Sequence, residues 1–195
     1  MATNTVSVQS NVAGTIRDLL ELGQKVQSQA TVRSLNEIGA QLRTRASRQI
    51  RDTGYGLKAA RIKKGLKVIK ASSNSLTAIL RANGRPIRLI EYSARKAGAG
   101  GVSVNVLHGR KIVRHAFIAA QLNGQPAVFE RVGQGHKLVS KNGKLVSSGL
   151  PIKQLYGPSV PDALVNQVVM DELERLVAEK FDGILRRNIA YYASR

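Results

Sequence analysis

The side chains of this sequence that could do chemistry are mostly cations, and they are gathered in one stretch. Arg43, Arg45, Arg48, Arg51, Lys58, Arg61, Lys63, Lys64 and Lys67 follow one another closely, and between Arg43 and Lys70 the only acid is Asp52. Guanidinium and ammonium groups at this density hold phosphates by charge-assisted hydrogen bonds, a chemistry that binds nucleic acid without reading its sequence. A run of charge is also what a solvated helix face looks like, so both readings stand at this point. Nothing comparable exists for catalysis. His108, His115 and His136 lie in or beside expected hairpins, with no cysteine and no carboxylate pair nearby to complete a metal site. The GQGHK stretch at 133–137 lacks the spacing of a phosphate-binding loop, and AGAGG at 97–101 reads as a bend. With no acid, base and nucleophile in a recognisable arrangement, neither an enzyme nor a cofactor is expected.

The whole chain shares the bias of that stretch. Its 31 Lys and Arg against 12 Asp and Glu give a net charge of +19, which repels itself unless a polyanion or an acidic partner relieves it. Aromatic residues make up only 4% of the chain, too few for a platform of stacked bases, so double-stranded rather than single-stranded nucleic acid is the expected polyanion. The absence of cysteine excludes disulfides and thiolate metal sites and fits synthesis in a reducing cytosol. The first residues lack a cationic segment followed by an apolar one, and no apolar run approaches the ~18 residues of a membrane span. A soluble protein with no membrane partner is the expectation.

The elements that must carry the cations follow from periodicity. After a flexible arm at 1–11, residues 12–195 read as one α+β domain, with 12–65 helical and basic, 66–149 β-rich, 150–161 a proline-rich connector and 162–192 a long C-terminal helix. A short helix is expected over 12–28. A clearer one follows, from Val32, Leu35, Ile38, Gly39, Leu42, Ala46 and Ile50 at three- and four-residue steps, with the arginines on its other face. Lys58 to Lys64 suits a short helix. Beyond it, strands are expected at 66–71, 76–82, 86–91, 102–107, 111–121, 127–132, 137–140 and 144–147, forming a central, mostly antiparallel, twisted sheet of hairpins with the last helix packed on it. The turn signals are Asn83-Gly84, His108-Gly109, Asn123-Gly124 and Asn142-Gly143.

The connector, LPIKQLYGPSVP, holds three of the five prolines and interleaves them with apolar residues. Local chemistry admits a plain strand-to-helix loop as well as a docking segment, whose contact residues would be Leu150, Pro151, Ile152, Leu155, Tyr156, Gly157 and Pro158. Pro161 and Asp162 then open the final helix. That helix carries half of all the acids, Asp162, Asp171, Glu172, Glu174, Glu179 and Asp182, so the chain is bipolar. Copies could pair head to tail through the two poles, or the poles could meet water or each other within one chain.

Taken in order, RTRASRQIRDTG, LKAARIKKGLKVIKA, RPIRLIEYSAR, GVSVNV, HAFIAA, AVFERVG and LPIKQLYGPSVP with the helix after it resemble the minor tail protein Z family of long-tailed bacteriophages and prophages. The resemblance covers about residues 30 to 185. It implies a structural virion protein, made in the host cytoplasm and placed at the head-proximal end of the tail, where it serves tail completion or head-tail joining. It further implies a homo-oligomeric, hexameric ring around the DNA channel. Its partners would be further copies of itself, neighbouring tail-terminator, tail-tube or head-tail connector proteins, and double-stranded DNA contacted non-specifically. The basic block would face either DNA or an adjacent subunit. The charge alone suggests an alternative, a free sequence-independent nucleic-acid-binding protein.

Overall fold

The three- and four-residue spacing around Ile38 produces a helix longer than expected. In the computed structural model, which describes residues 3–6, 24–107, 109–121, 123–133, 138–147 and 151–194, helix α1 runs unbroken over Gln24–Asp52. The helices expected at 12–28 and from Val32 are therefore one from Gln24 onward, while residues 12–23 lie outside the described residues. The buried face of α1 is an i, i+4 ridge of Ala30, Ser34, Ile38, Ala46 and Ile50. Three members of that ridge are small or polar, and at its N-terminal end Ala30 and Ser34 are buried where the apolar spacing pointed to Val32 and Leu35, which are half-buried.

Contacts divide the chain into two compact units, one of Met1–Thr53, Lys58–Arg85 and Ser159–Arg195, the other of Gly54–Leu57 and Pro86–Pro158. In the first, α1 is followed by α2 (Ala59–Gly65), β2 (Leu66–Ile69) and β3 (Ile79–Asn83), and preceded by β1 (Thr3–Val6). The three strands form an antiparallel sheet in the order β1-β3-β2. Thr3–Val6, expected in a loose arm, thus pairs along β3.

The final helix, expected from Asp162, is two helices: α3 (Val160–Leu164) and α4 (Gln167–Ala193). Ser159 caps α3 in a reciprocal box with Asp162, whose carboxylate accepts from the Ser159 amide at 2.8 Å, and Pro161 sits in the first turn as expected. Asn166 interrupts the helix because its side-chain oxygen accepts from the Val168 amide at 3.1 Å and caps α4. Helix α4 runs antiparallel to α1. Arg33 lies over Tyr191, Asn188 donates to Ser34 at 2.9 Å, Arg187 donates to Glu37 at 2.5 Å, and Arg45 meets Glu172 at the far end. Ile38, Val177 and Ile184 fill the seam, with Leu42 and Phe181 against them.

The second unit is β-rich. Its strands are β4 (Ile87–Arg88), β5 (Arg95–Lys96), β6 (Val102–Asn105), β7 (Arg110–Val113), β8 (Ala116–Ala120), β9 (Pro126–Arg131), β10 (Leu138–Lys141), β11 (Lys144–Ser147), β12 (Ile152–Gln154) and β13 (Tyr156–Gly157). They pair antiparallel as β5-β6-β7, β12-β9-β8, β13-β4 and β10-β11. The single strand expected at 111–121 is two, since His115 takes a left-handed φ of 60° and passes the chain from the sheet of β6 to that of β9. Asn142-Gly143 closes a two-residue hairpin with φ of 51° and 74°. Asn83-Gly84 closes none, because β3 takes β1 and β2 as its partners.

The architecture is α+β in the expected order: N-terminal helix, antiparallel hairpin strands, long C-terminal helix. Among the described residues the strands are distributed over five small sheets, and the long partner of α4 is α1.

Candidate nucleic-acid interface

Two grooves flank α1 in the first unit, separated by the exposed residues Ala40 and Thr44. The first, of about 400 Å³, is lined by Asn36, Ala40, Arg43, Thr44, Lys63, Leu66, Lys67, Val68 and Lys70. It owes its shape to three local devices. Gly39 lets β2 come close to the helix, since a Cβ there would lie 3.1 Å from Val68 Cγ1. The Asn36 amide pairs with the main chain of Ala71, donating at 3.0 Å and accepting at 2.8 Å, and pins the end of β2 to α1. Arg43 Nη2 donates at 2.9 Å to the carbonyl of Lys63 in the last turn of α2, which also accepts from the Leu66 amide. Four cations therefore line a groove that has no acid in its lining. Lys67 also stands directly opposite Arg81 in the β2–β3 ladder, both exposed, and like charges so placed destabilise a sheet.

The second groove, of about 500 Å³, is lined by Glu37, Ala40, Gln41, Thr44, Arg45, Arg48, Leu176 and Lys180. Its charges are largely paired. Arg45 donates to Glu172 through Nε at 2.6 Å and also through Nη2, and Arg175 reaches the other oxygen of the same carboxylate at 2.6 Å. The Arg45 guanidinium, with Arg175 beside it, holds the Glu172 carboxyl below the usual carboxylate range, and Arg187 does the same to Glu37. Arg48 lies 3.7 Å from Asp52.

The structure thus divides the cationic block. Arg43, Lys63 and Lys67 converge with Lys70 in the first groove, and Arg45 and Arg48 lie in the second with Lys180. Arg51, Lys58 and Lys64 are exposed and Arg61 half-buried, outside both linings. Arg81 is joined to the first group only by strand register, which the spacing of charges cannot show. The acidic face of the last helix is likewise engaged within the chain: Glu172 as described, Glu179 at 3.8 Å from Arg175, and Asp182 at 2.8 Å from Arg186. Of the histidines, His115 occupies a turn, and His108 and His136 lie outside the described residues. No group of three or more potential metal ligands exists among the described residues, and no helix among them is long and apolar enough to cross a membrane.

The family described as prophage minor tail protein Z (GPZ) matches residues 12–194. The chain belongs to this family. It is therefore a phage minor tail protein, a component of the viral tail. No curated protein and no solved structure matches it. The matched span holds both grooves and the whole second unit, while β1 precedes it.

In this minor tail protein the segment 150–158 is not a free connector. Leu150 lies outside the described residues. Beyond it, the Pro151 carbonyl accepts from Val132 at 2.8 Å, β12 pairs with β9, Leu155 bonds Val128 and Leu89 at 2.9 and 3.0 Å, and β13 pairs with β4. The prolines admitted a loop or a docking segment; in this span they stand at Pro151 and Pro158, outside the paired residues, so every amide the ladders need is present. Tyr92, fully buried, donates its hydroxyl to the Pro158 carbonyl. Only glycine fits at 157, because a Cβ there would lie 2.6 Å from the Tyr92 ring. Ile152 and Tyr156 point outward, each 53% exposed, while Leu155 is half-buried.

Proposed function

We propose that this minor tail protein acts at the head-proximal end of the tail, as a hexameric ring that completes the tail and joins it to the head, with its basic surface toward the DNA channel. Membership of the minor tail protein Z family over residues 12–194 carries the reading. The net charge of +19 suits a wall past which DNA moves, since cations contact phosphates in any sequence. With much of the acidic face of α4 paired inside the chain, contacts between subunits fall to other surfaces. The exposed Ile152 and Tyr156, held on a strap bonded to two sheets, offer one to the next copy or to a tail-terminator, tail-tube or head-tail connector protein.

Electron microscopy of tails carrying a labelled chain, with sedimentation of the free protein, tests this. Density at the head-proximal end and a ring-sized species are expected. A strictly monomeric protein absent from purified virions would overturn the reading. Ile152→Ser with Tyr156→Ser is expected to leave the protein soluble and to keep it out of tails; normal incorporation removes the strap from the assembly contact. The acid-free groove favours one other reading, a free sequence-independent nucleic-acid-binding protein, which duplex binding together with absence from virions would select.

A further inference from the structure

The groove beside β2 gathers Arg43, Lys63, Lys67 and Lys70 around a lining with no acid, and Arg81 stands across the ladder from Lys67. Lysines on an edge strand commonly protect it from unwanted pairing, and β2 is an edge. That explanation covers Lys67. It leaves unexplained the convergence of Arg43 from α1 and Lys63 from the end of α2, and an arginine on the central strand β3. We propose that this groove is the site at which the chain grips duplex DNA, taking successive phosphates of one strand, with Arg81 extending it across the sheet.

Dimensions and lining favour that ligand. Lys67 and Lys70 are separated by three residues of extended chain, about 10 Å, against about 3.4 Å of axial rise per phosphate along one strand. Lys67 and Lys70 are thus far enough apart to meet different phosphates. Ala40 and Thr44 form a low wall that lets a sugar-phosphate backbone approach. An acidic polypeptide would look for exposed apolar anchors, whereas Leu66 is buried and Val68 half-buried. The inference takes its setting from the DNA-channel reading, but its test is independent of tail assembly.

The test is binding of a labelled duplex of about 30 base pairs, of two unrelated sequences, by the full chain as salt is raised. Each phosphate contact contributes about 0.9 to the slope of log affinity against log salt. Lys67→Gln with Lys70→Gln is expected to lower the slope by about 2 and to weaken both sequences equally. Lys67→Arg with Lys70→Arg should retain the slope, which separates lost charge from misfolding. Lys144→Gln with Lys180→Gln, of identical net charge, should change it by less than half as much. Equal losses from the two neutralised pairs, or no duplex binding by the wild-type chain, would overturn the site while leaving a tail ring possible. Binding of polyglutamate as tight as that of the duplex would also overturn it, by assigning the groove to an acidic protein surface.

Discussion

The two grooves beside α1 share Ala40 and Thr44, and both are rich in Lys and Arg, yet their charges do opposite things. On the α4 side, Arg45 enters a carboxylate that Arg175 also holds, and Glu37 takes Arg187. Those cations join two helices. On the β2 side no acid lines the groove, and Arg43 finds only a carbonyl. A cation near carboxylates is neutralised at little cost; a cation among cations keeps its field and raises the local concentration of anions. The density of charge along a sequence does not separate the cases. Which residues the fold brings opposite does.

The sharpest way to break the comparison is through the seam under the α4-side groove. Ile38→Ala removes a nearly buried side chain packed on Val177 and Ile184 and is expected to cost about 2–5 kcal/mol in denaturant unfolding. Asn188→Ala is expected to cost about 1–3 kcal/mol, because Asn188 is buried and its amide donates to Ser34, which keeps only its own bond to the Ala30 carbonyl. Both variants should bind duplex DNA with the wild-type salt slope while folded. A slope that fell with either would show that the two sides of α1 act as one site.

Much of this was legible in the sequence, and the losses have physical causes. Periodicity found α1, the hairpin at Asn142-Gly143 and the helix after Pro161, because those depend on neighbours in the chain. It extended the last helix through Asn166, since a capping side chain leaves the apolar stripe intact on both sides of it. The segment 150–158 read as a proline-rich connector, with its strand pairing hidden because Pro151 and Pro158 remove amides only outside the paired residues. Its partners, β9 and β4, lie 21 and 68 residues away by the registers Ile152↔Arg131 and Tyr156↔Arg88. The cationic block was visible as a block. Its division into paired and unpaired halves was not, since Arg45 is neutralised by Glu172 and Arg43 meets Lys63 only after folding.

A smaller effect sharpens the paired side. Glu172 and Glu37 are held below their ordinary carboxylate value of 4.5 by their arginine partners. A carboxylate whose pKa is depressed in the folded state contributes stability that is present above its unfolded value and lost as pH falls through the folded one. Unfolding of the wild-type chain should therefore become easier as pH drops below about 4.5. Glu172→Gln should show a shallower acid loss than wild type and a lower stability at neutral pH. Parallel acid profiles for the two proteins would mean that the Arg45 pair contributes nothing to the seam.

The smallest effect bears on the unpaired side and has the opposite sign from most substitutions. Lys67 and Arg81 face each other across an exposed ladder. Lys67→Glu turns that repulsive pair into an attractive one and is expected to stabilise the fold by about 0.2–1 kcal/mol, while placing a negative charge in a groove that otherwise gathers cations. A residue that serves only solubility should be replaceable at no cost to binding. A residue retained for its ligand should show gain of stability coupled to loss of affinity. Chemical denaturation and duplex titration on the same sample decide between them: a variant more stable yet weaker on DNA places Lys67 in the binding surface, and one more stable with unchanged affinity leaves it as edge protection for β2.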